Sequence, residues 1–235
     1  KMKNLAIIPA RSGSKGLPDK NIINLRGKPL MYYTISAALE SKCFDKVMVS
    51  TDSDYYAEKA RQCGASVPFL RTKERSGDAS SSWDVVREVL DQYIELGHKF
   101  DYVALLQPTS PLRNVEDIIG IFDLIRRDEI HNAVTVTEVE HPVQWCFRMP
   151  ENRSMKELAE SPYNYMRRQE LEKYYLENGA IYLVDAKKIM NPQYNFYADN
   201  CFGYIMPRER SVDIDTKVDL LVADAYMQDM ETILC

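Results

Sequence analysis

Short, unbroken apolar runs alternate along this chain with longer stretches whose apolar residues recur at helical spacing. Residues 5–8 (LAII), 46–51 (KVMVST), 102–107 (YVALLQ) and 180–184 (AIYLV) are such runs. They lack the alternation of a half-exposed strand and are predicted to be strands buried on both faces, as in a parallel sheet. AVTVTEV (133–139) reads as a strand by its β-branched residues. CFGYIM (201–206) and SVDID (211–215) continue the strand signal.

Between the runs lie predicted helices. Pro29 introduces one from about Leu30 to Ser41, and DSDYYAEKARQCG supplies a second that Gly64 closes at the C′ position. From Ser81 to Leu96, Val86, Val89, Leu90 and Tyr93 share one face. Asn114 is placed to cap a fourth helix, on which Val115, Ile118, Ile119, Phe122 and Ile125 recur. The last begins near Thr216 and aligns Val218, Leu221, Val222 and Ala225. Repeated βα units predict a doubly wound, mostly parallel α/β sheet with right-handed crossovers. The rhythm breaks once, in residues 141–177, which are rich in Pro, Met, Arg, Glu and Tyr. That stretch is expected to be an insertion, a small subdomain or dimerisation arm, within one domain spanning 2–235.

With 235 residues, 45% of them hydrophobic, the chain can bury a core without metal or disulfide staples. Thirty basic against thirty-five acidic residues leave a formal charge of −5. That excludes a bulk polycation coating nucleic acid, though not a local anion site. No apolar run approaches the ~20 residues needed to span a bilayer, so no membrane partner is expected. The five cysteines (43, 63, 146, 201, 235) are scattered, with no CxxC pair and no zinc-ligand spacing. In the absence of a recognisable secretory leader they are expected to be reduced thiols of a cytoplasmic protein.

Three segments carry candidate chemistry. IIPARSGSKGLPDKN (7–21) sets Arg11, Lys15 and Lys20 among Ser12, Gly13, Ser14 and Gly16, directly after the first predicted strand. Ligands of open α/β sheets bind beyond the carboxyl ends of strands, glycines let backbone N–H groups approach an anion, and the cations add charge. The spacing is neither Gly-x4-Gly-Lys-Ser/Thr nor Gly-x-Gly-x-x-Gly, so neither better-known phosphate loop is present. In SVDIDTKVD (211–219), strand alternation would put Asp213 and Asp215 on one side and Val212 and Ile214 in the core. Paired carboxylates beside a phosphate site suit Mg²⁺; the alternative is a solvated edge with Asp215 capping the next helix. In LLQPTSPLR (105–113), Gln107 ends a buried strand and Arg113 closes a turn stiffened by Pro108 and Pro111. Such a turn either presents an amide and a guanidinium to a ligand or is a structural βα loop.

Taken together and in order, IIPARSGSKGL, the Arg71 to Ser82 segment, LLQPTSPLR, RRQELEKYYLENGAIY and SVDIDTKVDL resemble the CMP-N-acylneuraminate synthetase (N-acylneuraminate cytidylyltransferase) family over essentially the whole length. The resemblance implies a nucleotide-diphospho-sugar transferase-like fold and transfer of CMP from CTP to the anomeric hydroxyl of a sialic acid, releasing pyrophosphate. It implies that Arg11, Lys15, Lys20 and the loop amides hold the CTP phosphates, that Asn21, Arg71 and Ser82 meet the cytidine, and that Asp213 and Asp215 hold Mg²⁺. Gln107, Asn178 and Tyr182 match positions lining the site of the nine-carbon sugar acid, with Phe196 and Tyr197 as candidates for its acyl pocket. The excursion at 141–177 corresponds to the family's dimerisation element, making a homodimer expected, with Arg167, Arg168 and Gln169 as candidates for contacts in trans or else a surface ion-pair cluster. Thr109 stands where related Kdo synthetases carry a metal-binding Asp, which argues against Kdo. Legionaminic or pseudaminic acid as substrate, and a catalytically silent nucleotide-sensing subunit, remain alternatives.

Overall fold

Along β1 (Asn4–Pro9) successive side chains point to two different cores, Leu5 and Ile7 to one and Ala6 and Ile8 to the other. The computed structural model describes residues 2–14, 16–72, 81–126, 130–198 and 200–233, so Lys15 lies outside the described residues. After β1 come a two-stranded hairpin, β2 (Asn24–Leu25) and β3 (Lys28–Pro29), then α1 (Leu30–Ser41), β4 (Lys46–Ser50), α2 (Asp54–Gln62) and α3 (Ser82–Glu95). The chain continues through β5 (Tyr102–Leu106), α4 (Val115–Ile125), β6 (Asn132–Glu138), α5 (Lys156–Ala159), β7 (Tyr175–Asp185), α6 (Ala186–Ile189), β8 (Cys201–Ile205) and α7 (Lys217–Ile233). No described helix is long and apolar enough to cross a membrane.

The main sheet has the order β4-β1-β5-β7-β6-β8. Its strands run parallel except β7, which is antiparallel to both β5 and β6. β1 has β4 on one side and β5 on the other, so the connections diverge there, and the crevice beyond its carboxyl end is the place for a ligand. Ile35, Ile118, Ile121 and Phe122 cover one face of the sheet, and Val86, Val89, Leu90 and Tyr93 of α3 cover the other. A third cluster of Leu25, Leu30, Leu112, Ile214 and Ala223 seats α7.

Local chemistry starts the helices where the sequence predicts. Ser53 accepts a hydrogen bond from the Tyr56 N–H, and Gly64 adopts φ +97° just past the end of α2. Ser81 with Asp84, and Asn114 with Asp117, form reciprocal capping boxes at α3 and α4. Asp117 is fully buried and also receives Arg210 Nε at 2.9 Å and Nη2 at 2.8 Å. That pair fastens the start of α4 to the segment leading into 211–215. Removing the guanidinium would leave the buried carboxylate without its bidentate partner.

Two expectations need correction. SVDID (211–215) is not a strand: it runs across the carboxyl end of the sheet, and the Ile214 N–H bonds to the Thr109 carbonyl at 2.8 Å. Its in–out alternation belongs to a tether pinned by Ile214. The irregular stretch also ends earlier than expected, because β7 begins at Tyr175 and pairs with β6 through Glu138, Thr137 and Val136.

Candidate active site

β1 delivers the loop to the switch point, and side chains from neighbouring strands fix it there. The Ala10 N–H bonds to the Ser50 carbonyl at 2.9 Å. The Ser12 N–H and hydroxyl then donate to the two carboxylate oxygens of Asp52 at 2.8 and 3.1 Å. Asn21 is buried and donates through Nδ2 to the Arg11 carbonyl at 3.1 Å, so it shapes the loop that carries Arg11. Gly13 lies at φ +74°, a conformation side chains rarely take. A Cβ on Gly16 would stand 3.1 Å from the Asp215 carbonyl oxygen, so the loop packs directly on the acidic segment. Ser14 is half-buried on the same loop.

Arg71 is buried at the edge of this loop. It donates through Nε to Ser50 Oγ at 3.2 Å and through Nη2 to the Ser50 carbonyl at 2.9 Å. Burial lowers its guanidinium pKa, Asp52 and Glu88 oppose that, and the nearby Arg11 charge adds to it. Arg11 and Arg71 therefore lie close enough to feel each other's charge, alongside the carboxylates of Asp52 and Glu88. Ser82 lies exposed on the first turn of α3, where the capping role belongs to Ser81.

The acidic segment meets the loop from the opposite side. Lys20 Nζ lies 2.7 Å from Asp215 Oδ1. Asp215 does not cap α7: Thr216 and Asp219 exchange those hydrogen bonds, with Thr216 N–H and hydroxyl both reaching Asp219 Oδ2. Asp215 instead projects from the surface with Lys20 as its partner. Asp213 keeps contact with solvent, yet surrounding protein and then the Asp215 charge raise its carboxyl above the ordinary value, against a hydrogen bond from Thr109 and the charge of Lys20. Two adjacent hard-oxygen donors, one of them raised by the other's charge, are a fitting place for a divalent cation that takes its remaining ligands from phosphate and water.

Across β5 lies the third wall. Between Val134/Tyr182 and Val136/Glu177 the β6–β7 register shifts, so residues 178–181 bulge from the β6 side of the ladder, while Ile181 still pairs with Leu106 of β5. Gly179 in this bulge has φ +73°, and a Cβ there would stand 2.7 Å from Gln107 Oε1. Asn178 is buried, and its Nδ2 donates to Ser211 Oγ at 3.0 Å, tethering the bulge to the acidic segment. Tyr182 is half-buried and donates its hydroxyl to Glu177 Oε2 at 3.0 Å.

The other candidates are placed differently. Arg113 is fully buried, and its Nη1 donates to the carbonyls of Gln107 at 3.2 Å and Ala180 at 2.9 Å. It therefore braces the Gln107 turn against the bulge from behind. Phe196 is buried as well and stacks on Trp83, with ring centroids 4.8 Å apart, so it backs the wall on which Tyr182 sits. Tyr197 is exposed beside it. Arg167, Arg168 and Gln169 lie exposed on the excursion, where the Arg167 N–H bonds to Glu170, and this chain alone does not bring them to the loop or the aspartates.

Several site residues were not singled out as such by the sequence: Asp52, which anchors Ser12; Trp83, which backs Tyr182; and Glu177. Asp52 carried a usable signal, since it follows directly on the KVMVST strand at a carboxyl end. Thr109 does more than stand where related enzymes carry a metal ligand: its carbonyl holds the Ile214 N–H.

A sequence profile of the cytidylyltransferase family matches residues 5–202. The chain is 39% identical over 223 residues to an N-acylneuraminate cytidylyltransferase of Streptococcus agalactiae serotype V, covering 94% of this chain and 52% of that protein. It therefore spans about half the length of that relative. It is 36% identical over 219 residues to a pseudaminic acid cytidylyltransferase of Campylobacter jejuni serotype O:2, covering 93% of this chain and 94% of that one. Among solved structures, a CMP:2-keto-3-deoxy-manno-octonic acid synthetase complexed with CTP superposes with a TM-score of 0.71 at 20% identity, over 97% of this chain and 99% of that one. At that identity the likeness speaks for the fold, the α/β architecture predicted from the sequence.

Proposed function

The chain belongs to the cytidylyltransferase family, and we propose that it transfers CMP from CTP to the anomeric hydroxyl of a sialic acid, an N-acylneuraminate, releasing pyrophosphate. The observation that carries this reading is the junction of the glycine-cation loop with the paired aspartates, through Gly16 and the Lys20–Asp215 contact. A phosphate-holding element and a carboxylate pair meet there beside Gln107 and the 178–181 bulge.

In this reaction the anomeric oxygen bonds to the α-phosphorus while the bond from that phosphorus to the bridging oxygen breaks. Pyrophosphate leaves with the electron pair, and the hydroxyl proton goes to solvent. Arg11, Lys20 and the loop N–H groups face the charge that grows on the phosphoryl oxygens and the leaving pyrophosphate, fixed in place before the reaction begins. Lys15 is assigned the same role from its place in the loop. Asn21 holds the loop in shape and Arg71 braces Ser50 beside it, both next to the cytidine position, where Ser82 offers an open hydroxyl. Gln107 and Tyr182 line the sugar-acid side, with Asn178 fixing the wall behind them.

Asp213 and Asp215 would hold Mg²⁺, which would neutralise phosphate charge and lower the pKa of the attacking hydroxyl when bound. Asp213's raised proton affinity supports a cation there, since a positive charge relieves its repulsion with Asp215.

The excursion supports a homodimer. Pro142 is the one buried residue in 141–177, while Tyr165 is 90% exposed and Met149 56%. A second subunit covering this arm would also bring Arg167, Arg168 and Gln169 to a sugar site in trans. The same arm, ending where β7 begins at Tyr175, supports reading it as an insertion in a single domain. Free thiols at Cys43, Cys63, Cys146 and Cys201 suit a cytoplasmic protein.

A second reading keeps the reaction and changes the acid to pseudaminic or legionaminic acid, because the Campylobacter relative is nearly as similar as the streptococcal one. Pyrophosphate release with CTP and Mg²⁺ across N-acetylneuraminate, legionaminate, pseudaminate and Kdo separates these. Preferred turnover of N-acetylneuraminate is expected, and preference for an analogue selects the second reading. CTP binding with no release for any acid overturns both and leaves a silent nucleotide-sensing subunit.

A further inference from the structure

Glu177 and Tyr182 are five residues apart in sequence, yet their partners on β6, Val136 and Val134, are only two apart. The bulge absorbs the difference and sets the two side chains at successive positions on one face of the sheet. There the Tyr182 hydroxyl donates to Glu177 Oε2 at 3.0 Å, and Tyr197 lies close enough to feel the Glu177 charge. Glu177 itself is exposed, and no cation pairs with it among the described residues. Its neighbours Asn178 and Gly179 touch Ser211 and Gln107, so it belongs to the sugar-acid side of the site.

We infer that Glu177 determines sugar specificity: its carboxylate, aimed by the Tyr182 hydroxyl, grips a pair of neighbouring donors on the substrate, two hydroxyls or a hydroxyl and an amide N–H. The inference rests on the reaction proposed above. An ionised carboxylate offers about four lone-pair positions, and the Tyr182 hydroxyl fills only one of them. The remainder open toward the cleft and can take two donors at once. Burial, and then the interaction with Glu177, pushes the Tyr197 hydroxyl up to about 12, and the same causes raise Tyr182. Both phenols thus keep their protons, and Tyr182 remains a donor to Glu177.

The arrangement also orients the substrate. A fixed anion at Glu177 repels the sugar's own carboxylate, which must then turn toward Gln107 and the cations of the loop. The hydroxylated or acylamino-bearing part of the molecule is left facing Glu177. The acids favoured are those with adjacent donors at that end, and analogues deoxygenated or capped there are disfavoured.

The test is steady-state kinetics of the whole chain and of Glu177→Gln and Glu177→Leu, with N-acetylneuraminate and pseudaminate varied at saturating CTP and CTP varied at saturating acid. Glu177→Gln should raise KM for the preferred acid about tenfold or more while KM for CTP does not change, and Glu177→Leu should raise it further. Tyr182→Phe should reproduce part of the effect, because it removes the hydroxyl that aims the carboxylate. An unmoved KM for the acid, or an equal rise for CTP and acid, overturns the assignment of Glu177 while the reaction stands. Absence of turnover by the parent chain with any acid overturns the reaction and this assignment with it.

Discussion

Lys20 Nζ and Asp215 Oδ1 sit 2.7 Å apart although 195 residues separate them in sequence. One belongs to the loop that carries the cations, the other to the segment that carries the carboxylates. Asp215 remains largely open to solvent, so the pair gains at most about 1 kcal/mol and is readily exchanged for new partners. Phosphate can take the lysine and a cation the aspartate with little loss, so the pair holds the two halves of the site in register while no ligand is bound.

Lys20→Met and Asp215→Asn should therefore each lower turnover by roughly 10²–10³-fold while shifting the melting temperature by no more than about 2 °C. Parallel assays of pyrophosphate release and thermal unfolding measure both. A variant that lost stability in proportion to its activity would show that the pair serves the fold.

Gly179 has φ +73° and backs directly against Gln107 Oε1. Gly179→Ala puts a methyl where the amide now lies and strains the backbone as well, at a cost of about 1–3 kcal/mol. Gln107 would be driven from its place, so KM for the sugar acid should rise several-fold with little effect on KM for CTP. Equal effects on both substrates would mean that the bulge does not belong to the sugar side alone.

Burial, reinforced by Asp215, raises the Asp213 carboxyl pKa. A carboxyl that holds its proton more tightly in the fold than in the unfolded chain stabilises the fold below its ordinary pKa and loses that contribution as pH rises through the raised value. Near neutrality the ionised group works against the metal-free fold. Asp213→Asn should therefore raise the melting temperature by roughly 1–2 °C at neutral pH, the gain fading toward about pH 4, while turnover collapses. A melting temperature that fell on substitution would show that Asp213 braces the fold.

How much of this was legible in the sequence varies from element to element. Helix α1 is found where Pro29 and the apolar spacing placed it, and α4 where Asn114 did, because both signals are local. SVDID imitates a strand because a tether pinned by Ile214 shows the same alternation as a pleat. The guanidinium of Arg113 could as well have faced a ligand; only the positions of the Gln107 and Ala180 carbonyls turn it inward. The bulge at 178–181 has no signature of its own, since it arises from pairing with a strand more than 40 residues away. Glu177 stayed hidden for that reason, its position beside Tyr182 being set by register.

The central claim, attack of the anomeric oxygen of a sugar acid on the α-phosphorus of CTP, is tested most directly by following that oxygen. N-acetylneuraminate carrying heavy oxygen at the anomeric hydroxyl is turned over with CTP and Mg²⁺, and the products are read by mass spectrometry and phosphorus NMR. The expected result is a CMP-sugar ester that retains the label next to phosphorus, with unlabelled pyrophosphate formed in equal amount. Loss of the label from the ester, or its appearance in pyrophosphate, would contradict the account.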